Sequence, residues 1–317
     1  MRFKPFRRWR LPLAALLCAS FAAAPLAAAD RAAQREQFRN ALAAAAKPPE
    51  GSWKRYSASL EESHYPLTPY VELAALRPRI GKLDRAEVER FLKHWPGTLP
   101  ASDLRDAWLR ELARRGDWSV FRAFWADSRD RDLVCDELQA RLAGGARLDY
   151  ASDIDPLWQG TRALPNACDP VIAAARSQGV LKDTHVWDRL QRAAASGSVE
   201  SAADAAALLG GGDRADADRI VTTLREPAAT LAKASAWPDQ PRTRDAVAYG
   251  LARYARRNSA AAETLWADLE ARFKWDAEQK NRVLNALALY RSTSYSPDAL
   301  ARLKALPEAA DDDATRE

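Results

Sequence analysis

The stretch DLRDAWLRELARRGDWSVFRAFW, Asp103 to Trp125, decides the fold. Leu104, Trp108, Leu109 and Leu112 fall on one face at helical spacing, with Arg105, Asp106 and Arg110 off it. Gly116 then punctuates the pattern, and a second apolar run follows at once. Two amphipathic helices joined by a Gly-centred turn form a helical hairpin, which buries each apolar face only by packing on neighbours.

The same pattern recurs along the chain. VWDRLQRAA aligns Val186, Leu190 and Ala194; ETLWADLEARF aligns Leu265, Leu269 and Phe273; NRVLNALALY aligns Val283, Leu284 and Leu287. AASGSVESAADAA repeats the Gly-turn join around Gly197. Start signals agree. Asp84 and Glu87 make a capping box, while Asp169-Pro170 and Ser296-Pro297 pair an N-cap with proline at the first helical position. LLGGGD reads as a stop and turn with Asp213 as the next cap. No alternating β-branched run appears, so no sheet is expected. The expected fold is all-α, a curved superhelix (α-solenoid) of stacked helical hairpins. It covers residues 30–305, with a kink near 235–244 (SAWPDQPRTR) and an acidic tail over 306–317. The match to any named repeat is loose.

Residues 1–29 read separately, as a secretory signal. MRFKPFRRWR carries five positive charges and no acid, LPLAALLCASF is a short apolar core, and APLAAAD offers a small-residue cleavage site after Ala29. The apolar core is too short for a membrane span. Arg10 stands where a twin-arginine signal wants an apolar residue, and Leu17 is too large for lipoprotein processing at Cys18. The whole chain has a net charge of +5, all of it in this segment, so the exported chain is neutral. A neutral chain has no basic field with which to bind nucleic acid.

Three cysteines occur, and Cys18 belongs to the signal. Cys135 and Cys168 then form an even pair in an oxidising compartment, which reads as a disulfide; two inert buried thiols are the alternative. His64, His94 and His185 are scattered, with no metal-ligand spacing. No Gly-x-Ser-x-Gly elbow and no phosphate-binding glycine loop ending in lysine is present. No cofactor is therefore expected. Trp108, Trp118, Trp125, Trp187 and Trp266 suit the crevices between alanine-rich helices better than a sugar platform. The tyrosines of SHYPLTPYVEL, Ser63 to Leu73, read as packing at a helix junction, with Pro69 in the first turn of a new helix. Arg110, Arg114 and Arg115 form a run that could meet the carboxylates of an anionic polymer, although a solvated helix face is the better reading of them.

Taken together, YPLTPYVELAAL, FLKHWPGTLPASDLRDAWLRELARRGDWSVFRAFW and LPNACDPVIAAARSQG resemble the soluble lytic murein transglycosylases. More narrowly, they are similar to the N-terminal superhelical U-shaped domain of that family. The resemblance implies a periplasmic location, peptidoglycan as the partner, and pairing of Cys135 with Cys168. Enzymes of this family cleave glycan strands to 1,6-anhydro products with one buried glutamic acid, acting as acid and then base. In the family that glutamate lies in a separate lysozyme-like domain, marked by a Glu-Ser pair and a Gly-Leu-Met-Gln motif. Met1 is the only methionine here, and Glu62-Ser63 and Glu200-Ser201 fall inside scaffold helices. The expectation is a non-catalytic periplasmic scaffold segment, inactive alone, whose catalytic domain is missing or separately encoded. The alternative is a stand-alone periplasmic helical-repeat module for protein interaction.

Overall fold

The computed structural model describes residues 23–46, 51–293 and 295–308. The expected export signal lies outside the described residues as far as position 22, and the acidic tail does so from position 309. Among the described residues every regular element is helical. The chain forms two compact units, which divide between Asp127 and Ser128.

The first unit contains α1 (Ala23–Ala45), α2 (Lys54–Glu62), α3 (Thr68–Leu76), α4 (Arg85–His94), α5 (Leu99–Arg115) and α6 (Trp118–Phe124). A 3-10 segment, Arg77–Lys82, links α3 to α4. Helix α1 packs on α2 and α3, and α5 is the common support of α3, α4 and α6. The hairpin expected from residues 103–125 forms. Leu104, Trp108, Leu109 and Leu112 are buried, and Gly116 takes the left-handed C-cap position at φ 74°. Thr98 caps α5 and the Asp84–Glu87 capping box starts α4. The tyrosine-proline stretch is a junction. His64, at φ 54°, ends α2, and the Tyr65 amide donates back to the Leu60 carbonyl at 2.9 Å. Tyr65 packs its ring on Phe38 at 5.6 Å, and Pro69 sits in the first turn of α3.

The second unit contains α7 (Arg131–Ala143), α8 (Asp155–Trp158), α9 (Asp169–Ser177), α10 (Asp183–Ser196), α11 (Val199–Ala207) and α12 (Gly211–Arg225). It continues with α13 (Pro227–Leu231), α14 (Pro241–Ala255), α15 (Ser259–Glu270), α16 (Ala277–Ser292) and α17 (Ala299–Lys304). Successive helices stack: α10 on α11, α11 on α12, α12 on α14, and α14 on both α15 and α16. The architecture is thus all-α, built by stacking helical hairpins as an α-solenoid does. Trp187 and Trp266 fill crevices between these helices and are nearly inaccessible.

Cys135 and Cys168 are disulfide-bonded, with Cα atoms 4.9 Å apart. The bond ties α7 to the 3-10 turn Asn166–Cys168 inside a core that includes Leu138, Val171 and Ile172. The loop before that turn is held by Arg189, a buried cation. Its guanidinium donates to the carbonyls of Trp158 (2.7 Å), Gly160 (2.9 Å) and Arg162 (2.8 Å) and lies over the Trp158 ring. Burial first, then the charges of Arg131 and Arg192, pull its pKa down to about 10.

Four local expectations are corrected. Asp169 is the first helical residue of α9, not its cap, because the turn Asn166–Cys168 runs straight into the helix. Asp298, not Ser296, precedes α17, and the Ser296 hydroxyl donates to its carboxylate instead. Helix α12 starts at Gly211, so Asp213 lies within its first turn and accepts hydrogen bonds from Trp187 and Arg242. Leu265 is only partly buried, and Phe273, although buried, lies past the end of α15; Trp266 joins Leu269 on the buried face of the helix.

Candidate functional site

A cleft of about 1000 Å³ opens in the first unit. Its walls come from the start of α2 (Trp53, Lys54), from α3 (Glu72, Ala75, Leu76), from the 3-10 segment and from α4. Helix α4 presents two faces with different duties. Val88 and Phe91 are buried and anchor it, and Arg90, Lys93 and His94 follow at i, i+3 and i+4 along the cleft. Lys93 and His94 stand in the last turn of the helix, where its dipole favours cations.

The charges of the cleft are unevenly committed. Arg79 pairs with Glu87 at 2.9 Å, and Glu87 also closes the capping box. Glu72 accepts the indole N–H of Trp95. His94 meets Glu61 at 2.9 Å and packs edge-on against Trp95. Lys54, Arg90 and Lys93 are exposed and carry no ion pair among the described residues. The result is a basic cleft, four Lys and Arg side chains against two occupied carboxylates, with Trp53 on its rim. That chemistry suits an anionic chain with apolar or sugar faces, held by cations and one indole. Among the described residues no group of three or more His, Cys, Asp or Glu could hold a metal ion, and no helix is long and apolar enough to cross a membrane.

The arginine run resolves differently from its sequence. Glu111 is buried to nine-tenths and takes two hydrogen bonds from Arg114 (2.8 and 2.7 Å) and one from Arg115 (2.7 Å). Hydrogen bonds from Arg114 and then Arg115 hold its pKa down to about 2, against the opposing effect of burial. Arg115 also donates to the Gly81 carbonyl at 2.7 Å, fastening the 3-10 segment to α5. Arg110 is exposed on the same helix. The three arginines therefore share a helix, but two of them serve a buried carboxylate. The cations of the cleft were not singled out from sequence. Their i, i+3, i+4 spacing on α4 was legible, but the wall contributed by Trp53 and Lys54 was not.

Carboxylates elsewhere are similarly engaged. Asp153 receives both guanidinium nitrogens of Arg141, at 2.8 and 3.1 Å. Burial raises the pKa of Asp245, and Gln279 donates to it at 2.7 Å across the α14–α16 packing. Glu62 is the last residue of α2 and is exposed.

Comparison with known proteins adds a relative. The soluble lytic murein transglycosylase of Salmonella typhimurium is 25% identical over 294 residues, 90% of this chain and 44% of that protein. This chain is similar to the soluble lytic murein transglycosylases over most of its length. The transglycosylase of Escherichia coli K12 is 24% identical over 202 residues, covering 63% of this chain and 31% of its own length. An inactive mutant of the lytic transglycosylase Slt from Pseudomonas aeruginosa superposes with a TM-score of 0.67 at 26% identity. That superposition covers 88% of this chain and 45% of the Slt chain. The 70 kDa soluble lytic transglycosylase of Escherichia coli shares the fold at a TM-score of 0.67 and 20% identity, over 87% of this chain and 46% of that one. No family model matches. The chain thus spans somewhat less than half the length of the transglycosylases it matches.

Proposed function

We propose that this chain is a periplasmic, peptidoglycan-associated scaffold segment that does not itself cut the glycan strand. The observation that carries the association with peptidoglycan is the 25% identity to a lytic murein transglycosylase over 90% of this chain. The basic cleft of the first unit supports it, because peptidoglycan offers carboxylates on its peptide stems beside sugar faces. Its affinity would come from Arg90, Lys93 and Lys54, with Trp53 as a stacking surface. A glycosidic bond needs a proton donor positioned in a cleft and held protonated. Glu72 and Glu87, the carboxylates of this cleft, are both engaged in structural hydrogen bonds. Glu62, followed by Ser63, is the nearest imitation of the family signature, and it lies in the open at a helix end. The secretory signal read in residues 1–29, with cleavage after Ala29, supports a location beside this polymer.

The test is a pair of measurements on the exported chain. It should sediment with purified sacculi in a salt-sensitive manner, and the Arg90→Ala/Lys93→Ala variant should lose at least about half of that binding. No anhydro-muropeptide should be released. Anhydro products from the wild-type chain that vanish in Glu62→Gln would restore an enzymatic reading, and unchanged sedimentation of the double variant would remove the cleft from the account.

A further inference from the structure

A second groove, about 480 Å³, lies wholly in the second unit between the α10–α11 turn, α14 and α16. Its floor and walls are unlike those of the first cleft. Arg253 and Arg256 reach it from the end of α14, and Asn281, Arg282 and Tyr290 reach it from α16. We propose that this groove is a carboxylate-binding site for a short peptide with a free C-terminal carboxylate. For the origin of that peptide, a wall stem, the proposal rests on the reading given above; its chemistry stands without it.

Charge imbalance is the first argument. Arg253, Arg256 and Arg257 follow one another within a turn, and none forms an ion pair with a carboxylate among the described residues. Arg253 feels burial and then the charges of Arg257 and Arg256, which together lower its pKa. Arg282 is held over the Tyr249 ring at 4.3 Å and pairs at 2.8 Å with Glu278, the single acid lining the groove. The carboxyl ends of α10 and α14 also point here, each contributing about half a negative charge. Three arginines outweigh those two partial charges and one carboxylate.

Geometry is the second argument. One nitrogen of the Arg253 guanidinium donates to the Gly197 carbonyl at 2.8 Å, which fixes its plane, and its buried Nε–H has no hydrogen-bond partner. A guanidinium anchored through one nitrogen in the wall of a groove has its plane set for a planar acceptor with two oxygens, reached through its remaining N–H groups. A carboxylate fits that description. Beside it, Asn281 offers amide groups to a peptide backbone, and Ala252 and Leu289 offer an apolar wall to a small side chain. The volume lies in the range of small-ligand sites, so it suits a dipeptide end and not a long strand.

Titration of the exported chain with N-acetyl-dialanine bearing a free carboxylate, followed by calorimetry or amide shifts, tests the site. Saturable binding is expected, with the C-terminal amide of the same peptide at least tenfold weaker. Arg253→Ala also breaks the contact to Gly197, so exposed Arg256 is the cleaner target. Arg256→Ala should weaken binding about tenfold, and Arg122→Ala, an exposed arginine of the first unit, should not. Equal affinity for acid and amide, equal displacement by inorganic phosphate, or no effect of Arg256→Ala would each overturn the assignment. Dipeptide binding that persists in a chain failing to sediment with sacculi supports this site and defeats the wall-scaffold reading. Intact sedimentation without dipeptide binding overturns this site alone.

Discussion

Reducing the Cys135–Cys168 bond should destabilise the second unit by roughly 4 kcal/mol and leave the first unit unchanged. The magnitude follows from the loop. The bonded residues are 33 apart in sequence, and the chain-entropy model assigns a loop of that size roughly 4 kcal/mol of denatured-state restriction. The folded joint has other ties that survive reduction. Gln139 donates to the Ala167 carbonyl at 2.8 Å, Arg131 reaches the Ala163 carbonyl at 3.1 Å, and Arg189 pins the preceding loop. Both sulfurs are fully buried among apolar side chains, so the reduced cysteines remain in a packed environment. The folded state therefore changes little, and the loss falls mainly on the side of the unfolded chain.

Urea unfolding with and without reductant, read by hydrogen exchange on α9–α10 and separately on α5, measures this unit by unit. With a urea slope of about 2–2.5 kcal/mol/M, the midpoint of the second unit should fall by about 1.5–2 M. The slope should also rise, because the reduced denatured chain exposes more surface. A fall below about 1 kcal/mol, or an equal fall in α5, would refute the reasoning: the bond would then be ornamental, or the units would not unfold separately.

Two further outcomes rest on single side chains. The Glu111 carboxylate has a pKa held near 2, below its usual 4.5, so its contribution is present above pH 4.5 and is lost as pH falls through about 2. Glu111→Gln should cost roughly 1–2 kcal/mol at neutral pH, after allowing for solvent screening of exposed Arg114, and flatten the acid limb of the first unit's stability profile. An unchanged acid limb in acid titrations would contradict that. Gly250 lets α14 approach α12 closely, since a Cβ there would stand 2.2 Å from Thr223 Cγ2. Gly250→Ala should cost about 1–3 kcal/mol of overpacking despite its better helix propensity. Adding Thr223→Ser, which removes that methyl, should recover part of the loss; a thermal melt showing no recovery would place the strain elsewhere.

The helical fold was legible because its signals are local. Leu104, Trp108, Leu109 and Leu112 declare a face within three turns, and Gly116 and Gly197 both take the left-handed positions that their hairpins need. What stayed hidden is non-local. The π-helical turn Tyr150–Ile154 has no pattern of its own. Arg189 reads as one more charge on an amphipathic helix, and only the loop from Trp158 to Arg162, some thirty positions earlier, explains its burial. The helix starts at Asp169 and Asp213 were misplaced by one to three residues for a related reason. The turn Asn166–Cys168 runs straight into the helix before Asp169, and the Asp213 carboxylate serves Trp187 and Arg242 instead of a helix start.

The arginines show where sequence reading of a surface can be sharpened. A cation on a helix is available to a ligand only when every carboxylate within i±3 and i±4 is already spent. Arg114 and Arg115 fail that condition, since Glu111 lies three and four positions before them and binds both. Arg90 passes it: Glu87 is three positions away, but its carboxylate is held by Arg79 and the capping box. Lys93 passes too, because Glu89 is taken by Arg85 at 2.6 Å. Arg253 and Arg256 have no acidic residue at any of those positions. Local spacing thus separates cations that stabilise the fold from cations left over, and Arg90, Lys93, Arg253 and Arg256, which border the two grooves, are of the second kind. Arg110, Arg114 and Arg115 draw attention because they crowd together in the sequence, and crowding is the wrong measure: what a polymer or a peptide carboxylate meets is the charge left over after the helix has paired its own.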